Sequence, residues 1–416
     1  MLVQVSAESG GVEKRPAAWG AIFATSLCIF ALIASESMPI SLLTLIASDL
    51  AITEGQAGQA ISVCGAFAVL TSLFISSLVG RLDRKVLLLA LTAVMIVAGM
   101  IVAVAPNYVT FMVGRALTGV VIGGFWPMSA ATAMRLVPDD QVTRALAIFN
   151  GGNALATVIA APLGSFLGGL IGWRGAFFCI VPVALIVFVW QFLSLPPMKV
   201  EERAASGNVF KLLSRRVVVL GMAAVSVFFM GQFALFTYLR PFLETVTHVD
   251  VATLSLVLLV MGVTGFIGTM LIGAFLKNGL YRTLIFIPTL MATIAVALVA
   301  IGGWVDAAAL LLGIWGLFAT SAPVGWWTWL ARTLPKDAEA GGGLMVAVVQ
   351  FAITMGATVG GLLFDMSGYQ VTFSASAALL MVSAALAILT SRAAQARPTG
   401  GVAASDTAND LSHFFS

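Results

Sequence analysis

The chain has 416 residues, of which 60% are hydrophobic and only 9% charged, with a formal net charge of +3. A soluble domain carries about 25% charged residues, so the composition excludes a soluble globular protein and implies a polytopic membrane protein. Three cysteines in apolar segments (Cys28, Cys64, Cys179) and two distant histidines (His248, His413) provide neither a disulfide framework nor a metal-ligand cluster; no metal site and no cofactor are expected.

Residues 1–17 are polar and precede a long span rather than the short apolar core of a cleavable signal peptide. Twelve apolar spans are predicted at about 18–45, 57–78, 86–105, 109–134, 143–171, 175–195, 216–241, 252–276, 282–302, 307–331, 341–364 and 371–391. A crossing takes about 20 apolar residues. Stretches this long and continuous cross as helices, because every backbone polar group in hydrocarbon must be satisfied within the segment.

The first span contains a single charge, Glu36, in Ser35-Glu36-Ser37-Met38-Pro39. A carboxylate at that depth costs about 2.5–3.5 kcal/mol on insertion scales and marks a functional position by default. The alternative is a structural acid, hydrogen-bonded across helices or lying near the outer interface. Pro39 gives the span a point at which to bend.

Basic residues set the expected orientation. Lys14 and Arg15, then Arg81, Arg84 and Lys85, Arg135 and Arg144, Lys199 to Arg216, Lys277 and Arg282, Arg332 and Lys336, and finally Arg392 and Arg397 all fall on one side. The positive-inside rule then makes both termini cytoplasmic. The longest connection on that side, 196–215, begins Pro196-Pro197 and is rich in charge. It divides the chain into a cytoplasmic segment (1–17), a six-helix bundle (18–195), a linker (196–215), a second six-helix bundle (216–391) and a polar tail (392–416).

The two groups of six repeat at an offset of about 196 residues. Glu36 falls on Gln232, Pro127 on Pro323, and Ala156, Gly164, Gly172 and Phe177 on Ala352, Gly360, Gly368 and Phe373. The expected fold is therefore an all-α integral membrane protein, with twelve transmembrane helices in two pseudo-symmetric six-helix bundles. Parallel repeats of this kind bind substrate at mid-membrane between the halves. In span five, Gly152, Ala156, Ala160, Gly164, Gly168 and Gly172 recur every four residues beside Pro162, a spacing that lets helix backbones approach closely. The stripe reads either as tight packing or as a sliding seam between halves.

Arg115 lies inside span four, followed by Gly119 and Gly123 on a close-packed face. A buried arginine needs a partner or a wet cavity. If spans one and four adjoin, it influences the protonation of Glu36; otherwise it snorkels outward or caps carbonyls near the outer face. The loop Gly80-Arg81-Leu82-Asp83-Arg84-Lys85 reads as a charged latch between helices or as topogenic charge alone. For substrate, the aromatic and amide side chains Trp126, Phe229, Gln232, Phe236, Tyr238 and Trp327 suit a flat polar ring, since base–aromatic stacking contributes about 1–3 kcal/mol. Asn150, Asn153 and Gln350 are the better polar candidates, because unpaired amides in hydrocarbon are costly. Ordinary core or lipid-facing packing is the competing reading for each aromatic.

Arg115/Gly119/Gly123 and Ala161-Pro162-Leu163-Gly164, followed by Gly172-Trp173-Arg174, resemble the major facilitator superfamily, in its twelve-span drug:proton antiporter branch, over about 17–392. Glu36 to Thr44, Gly123 to Ala130 and Pro323-Val324-Gly325-Trp326 resemble its purine ribonucleoside efflux subgroup. The resemblance implies proton-coupled export of inosine, guanosine or related nucleosides by alternating access, with Glu36 and Arg115 in proton coupling. It further implies a monomer in the bacterial inner membrane, with a nucleoside-like substrate and protons as partners, and no enzyme activity or nucleic-acid binding. A broad multidrug or sugar exporter is the alternative, and a non-transporting receptor a further one. Two departures stand out. Gly80 and Asp83 are out of register with the family's loop pattern, and Ala161 replaces the glycine before Pro162.

Overall fold

The computed structural model describes residues 17–78, 82–138, 141–198, 212–334 and 338–395. Gly80 and Arg81, residues 199–211 of the expected linker, the first 16 residues and the tail from 396 lie outside the described residues.

The described chain is helical: α1 (Trp19–Asp49), α2 (Glu54–Leu78), α3 (Arg84–Ala103), α4 (Tyr108–Leu136), α5 (Val142–Phe178), α6 (Ile180–Ser194), α7 (Arg216–Phe236), α8 (Leu239–Thr245), α9 (Val251–Ile301), α10 (Val305–Thr333) and α11 (Ala338–Gln395). Among the described residues, ten helical segments are long and apolar enough to cross a membrane. Two of them, Arg144–Ser194 and Gly341–Gln395, have 51 and 55 residues. At 1.5 Å per residue these would run to roughly 77–83 Å, far beyond a hydrocarbon core of about 30 Å.

Each of these two is broken at a glycine in the left-handed region, Gly172 (φ 73°) and Gly368 (φ 75°), where a side chain would be strained. Divided there, the ten segments give twelve stretches of crossing length. The two breaks are 196 residues apart, so the sequence repeat is also a repeat of backbone geometry. Span seven, expected as one helix to 241, instead ends at Phe236 and restarts as α8. Pro241 has no N–H to return to the Thr237 carbonyl, which removes a helical bond at that turn.

Two hydrophobic cores result. One is built almost wholly from residues 21–198 and includes Leu32, Phe111, Phe125 and Phe177. The other draws on residues 212–387 and includes Phe228, Phe242, Trp315 and Trp329. Three of the buried residues cross over: Tyr238 packs into the first core, and Ile40 and Ile61 into the second. Within the first half α1 packs on α5 and α2 on α4; within the second α7 packs on α11 and α9 on α10. The halves meet along α2–α11 and α5–α9, two interfaces that the repeat interchanges. Gly55 against Asp365 maps, at the same offset, onto Val251 against Gly169, and both pairs are in contact.

Candidate functional site

The site is assembled where α1, α2, α4 and α11 converge. Pro39 lies within α1, so the carbonyl four residues earlier, at Ser35, lacks its helical donor. Arg115 of α4, fully buried, supplies one: its Nη1 donates to Ser35 O at 2.8 Å. Its Nη2 donates to Glu36 O and its Nε to Ala60 O, both at 3.3 Å. The carbonyls that Arg115 holds lie inside the helix bundle rather than near the outer face. Arg115 touches Glu36 through the backbone, and the carboxylate itself turns elsewhere.

The Glu36 carboxylate faces the other half. Gln350 of α11 brings its Nε2 to 3.5 Å from Glu36 Oε1, the outer limit of a hydrogen bond. Gln350 is buried, and its own carbonyl oxygen has no partner. Glu36, Arg115 and Gln350 are thus brought together from α1, α4 and α11.

A polar ladder continues from this point between α2 and α11. Ser62 Oγ donates to Thr354 O at 3.2 Å, and Thr358 Oγ1 reaches Ser62 Oγ at 2.8 Å and Gln59 Oε1 at 3.4 Å. Beyond it, Asp365 accepts from Thr53 Oγ1 (2.6 Å) and from the Gly55 amide (2.9 Å). Hydrogen bonds between the halves therefore gather on the side of Glu36 away from Trp19. Sequence reading missed this ladder. Gln350, Thr354 and Thr358 recur every four residues and so share one helix face, a signal present but unused.

The same end is closed by larger groups. Tyr238, fully buried, donates from its hydroxyl to Ala357 O (2.8 Å) and stacks on Phe364 at 5.2 Å between centroids. Gly58 faces the Tyr238 hydroxyl so closely that a Cβ there would lie 2.1 Å from it. Arg240 donates to Thr44 Oγ1 and to Glu244, each at 2.8 Å, and to the Ser41 carbonyl. Thr44 and Arg240 are themselves repeat partners, so the repeat axis passes close to their contact.

The other residues singled out by sequence fall in varied places. Phe229 is buried edge-on to Phe228, Phe236 is half-buried against Phe233, and Trp126 is half-buried beside Phe125. Gln232 is buried with its carbonyl oxygen unpartnered. Asn153 is half-buried, whereas Asn150 and Trp327 are exposed. None of these lines the groove of about 400 Å³ formed by Val69, Met222, Ser226, Val348 and Phe351 among others.

The packing glycines are explained directly. A Cβ at Gly119 would lie 2.1 Å from Cys64 O and one at Gly123 2.2 Å from Ala68 O, so α4 rides on the α2 backbone. Gly164, in α5 with Pro162, faces Ser41 of α1. The stripe of α5 is a seam within the first half; α5 meets the second half through Val158 and Gly169 instead. Asp83 caps α3 by accepting from the Lys85 amide (2.8 Å) and also accepts from the Met198 amide (2.9 Å). Arg84 donates its amide to Met198 O at 3.1 Å. That loop is tied to the start of the linker.

Residues 25–342 match the family model described as Major Facilitator Superfamily. The chain is 62% identical, over 91% of its length and 95% of the other's, to a Pseudomonas aeruginosa protein named transcription regulatory protein OpdE. It is 40% identical, over 88% of its length and 92% of the other's, to the purine ribonucleoside efflux pump NepI of Salmonella paratyphi B. A crystal structure of a bacterial homologue of the human lysosomal transporter Spinster, in an inward-facing and unoccupied conformation, superposes with a TM-score of 0.74 at 16% identity, covering 91% of this chain and 98% of that one. With its repeated halves and the acid, arginine and amide gathered between them, the chain is a multi-pass membrane protein and belongs to the major facilitator superfamily of transporters, not to a family of enzymes.

Proposed function

We propose that the protein is a proton-coupled exporter of purine ribonucleosides, working by alternating access in the bacterial inner membrane with both termini cytoplasmic. The observation that carries the coupling is the contact of Glu36 with Gln350 across the two halves. An ionised carboxylate accepts from that amide with either oxygen, whereas a protonated one has a proton of its own to donate. Proton loading therefore changes the bond that joins the halves. Arg115 holds α1 at Pro39, so the acid sits on a fixed stretch of a breakable helix. The nucleoside assignment is supported by the 40% identity to the NepI pumps. The amides Gln232 and Gln350, each with a free carbonyl oxygen, and the aromatic faces of Phe229, Phe236 and Trp126 suit a purine ring.

With the basic ends inside, the closed end is the outer one and this conformation opens inward. Exchange that carries net charge gains about 2.3 kcal/mol per charge per 100 mV. The experiment is radiolabelled inosine exchange in proteoliposomes under an imposed pH gradient. Wild-type protein should accumulate inosine against its gradient, and Glu36→Gln should exchange inosine but lose the response to pH. An unchanged pH response in that variant would remove Glu36 from the coupling role.

A second reading is favoured by the name of the 62% identical relative: a membrane sensor that binds its ligand and acts on gene expression. Saturable inosine binding with no counterflow would support it and overturn the exporter.

A further inference from the structure

In the first half an acid follows the second span, whereas the second half has a glycine at the matching position. In the first half Asp83 follows α2 and caps α3. At the repeat offset its counterpart is Gly279, where α9 leaves helical geometry (φ −151°, ψ 38°). The cations near that position remain. Lys277, Arg282 and Arg332 line a cavity of about 690 Å³, and among the described residues lining it none is acidic. Among the described residues none of the three is ion-paired. Arg332 is held by donating to Leu276 O at 3.2 Å.

A second observation is independent of charge. Trp329 also lines the cavity, is wholly buried, and its indole N–H has no hydrogen-bond partner. Buried donors left unsatisfied are costly and uncommon. The hydroxyl of Ser391 and the amide of Gln395 add further polar groups, while Val217 and Leu280 make part of the wall apolar.

We propose that this cavity is an anion site that takes a phosphate group. Lys277 and Arg282 supply compensating charge. Arg332 supplies the planar fork of donors that matches phosphate oxygens. The phosphate comes either from an anionic lipid headgroup at this end of the molecule or from free phosphate; the chemistry at the cavity is the same. The site lies apart from Glu36 and does not depend on what the protein transports.

The test titrates the full-length protein, purified in detergent, with dioctanoyl-phosphatidylglycerol, dioctanoyl-phosphatidylcholine and inorganic phosphate, reading the thermal unfolding midpoint. Two variants are compared with wild type. Lys277→Gln with Arg282→Gln removes charge from the site. Gly279→Asp supplies the acid that the first half has at Asp83; a Cβ there meets nothing nearer than Arg282 Cβ at 3.9 Å, so the substitution has room. The expected result is a saturable upward shift with phosphatidylglycerol and at least tenfold weaker half-saturation in both variants. A matching shift with inorganic phosphate identifies free phosphate as sufficient, and a shift with phosphatidylglycerol alone identifies the lipid. Equal responses in wild type and both variants, an equal response to phosphatidylcholine, or no saturable response in wild type overturns the proposal.

Discussion

Arg115 donates to the carbonyl of Ser35, the carbonyl that Pro39 leaves without a helical donor. The proline and the arginine are thus two parts of one device: one opens the hydrogen-bond ladder of α1 and the other closes it from α4. Arg115→Gln should cost about 1–3 kcal/mol by leaving that carbonyl unsatisfied. Pro39→Ala returns an N–H to it. The double variant should therefore be more stable than the sum of the single losses, by roughly 1 kcal/mol or more, in thermal unfolding of the purified protein. Simple additivity would refute the linkage.

The α2–α4 seam predicts a contrast between two glycines. Gly119→Ala drives a Cβ to 2.1 Å from the Cys64 carbonyl, a backbone atom that cannot step aside. Forced overpacking costs typically about 1–3 kcal/mol. Gly151→Ala meets nothing within 4 Å and should be neutral or stabilising by up to about 1 kcal/mol, from helix propensity. Unfolding midpoints of the two variants should move in opposite directions or differ clearly.

The closed end can be locked covalently. A Cβ placed on Gly169 lies 3.7 Å from Val251 Cβ, within the range of about 3.5–4.5 Å that a disulfide spans. In a background lacking Cys28, Cys64 and Cys179, Gly169→Cys with Val251→Cys should oxidise readily. Counterflow should stop on oxidation and return with reductant. Full activity of the crosslinked protein would mean that this end need not part during transport.

Asp365→Asn tests the polar part of the same closure. It replaces a carboxylate that accepts from Thr53 Oγ1 and the Gly55 amide. These bonds are partly solvent-exposed, so the loss should be modest, about 1 kcal/mol, or roughly fivefold in the closed-to-open equilibrium constant. The rate of disulfide formation at the Gly169/Val251 pair should fall, by at most that factor.

Asp83 holds two backbone amides, those of Lys85 and Met198. Asp83→Ala should destabilise the protein by about 1–2 kcal/mol, the usual range for a lost cap. Asp83→Asn keeps an acceptor and should lose much less. Equal losses would show that its charge, not its hydrogen bonds, matters there.

Several features were legible in the sequence because local physics fixes them. Apolar runs of crossing length must become helices in a bilayer. The pairing of Gly172 with Gly368 could be read as a repeat, and the structure gives both the same left-handed backbone. The closeness demanded by Gly119 and Gly123 followed from their spacing. Other features depend on how helices far apart in sequence are brought together. Nothing in the sequence said that Arg115 would bond the carbonyls of α1 and α2 rather than the Glu36 carboxylate, because that choice depends on where Pro39 opens the ladder relative to α4. The ladder from Gln350 to Thr358 carried a four-residue spacing, yet its partners Gln59 and Ser62 lie nearly 300 residues away. Sequence by itself determined the helices, the repeat and an acid in the first span, since each rests on composition, spacing or the cost of burial. The tertiary structure alone decided that this acid meets an amide of the opposite half, because only packed helices define which polar groups share one buried space.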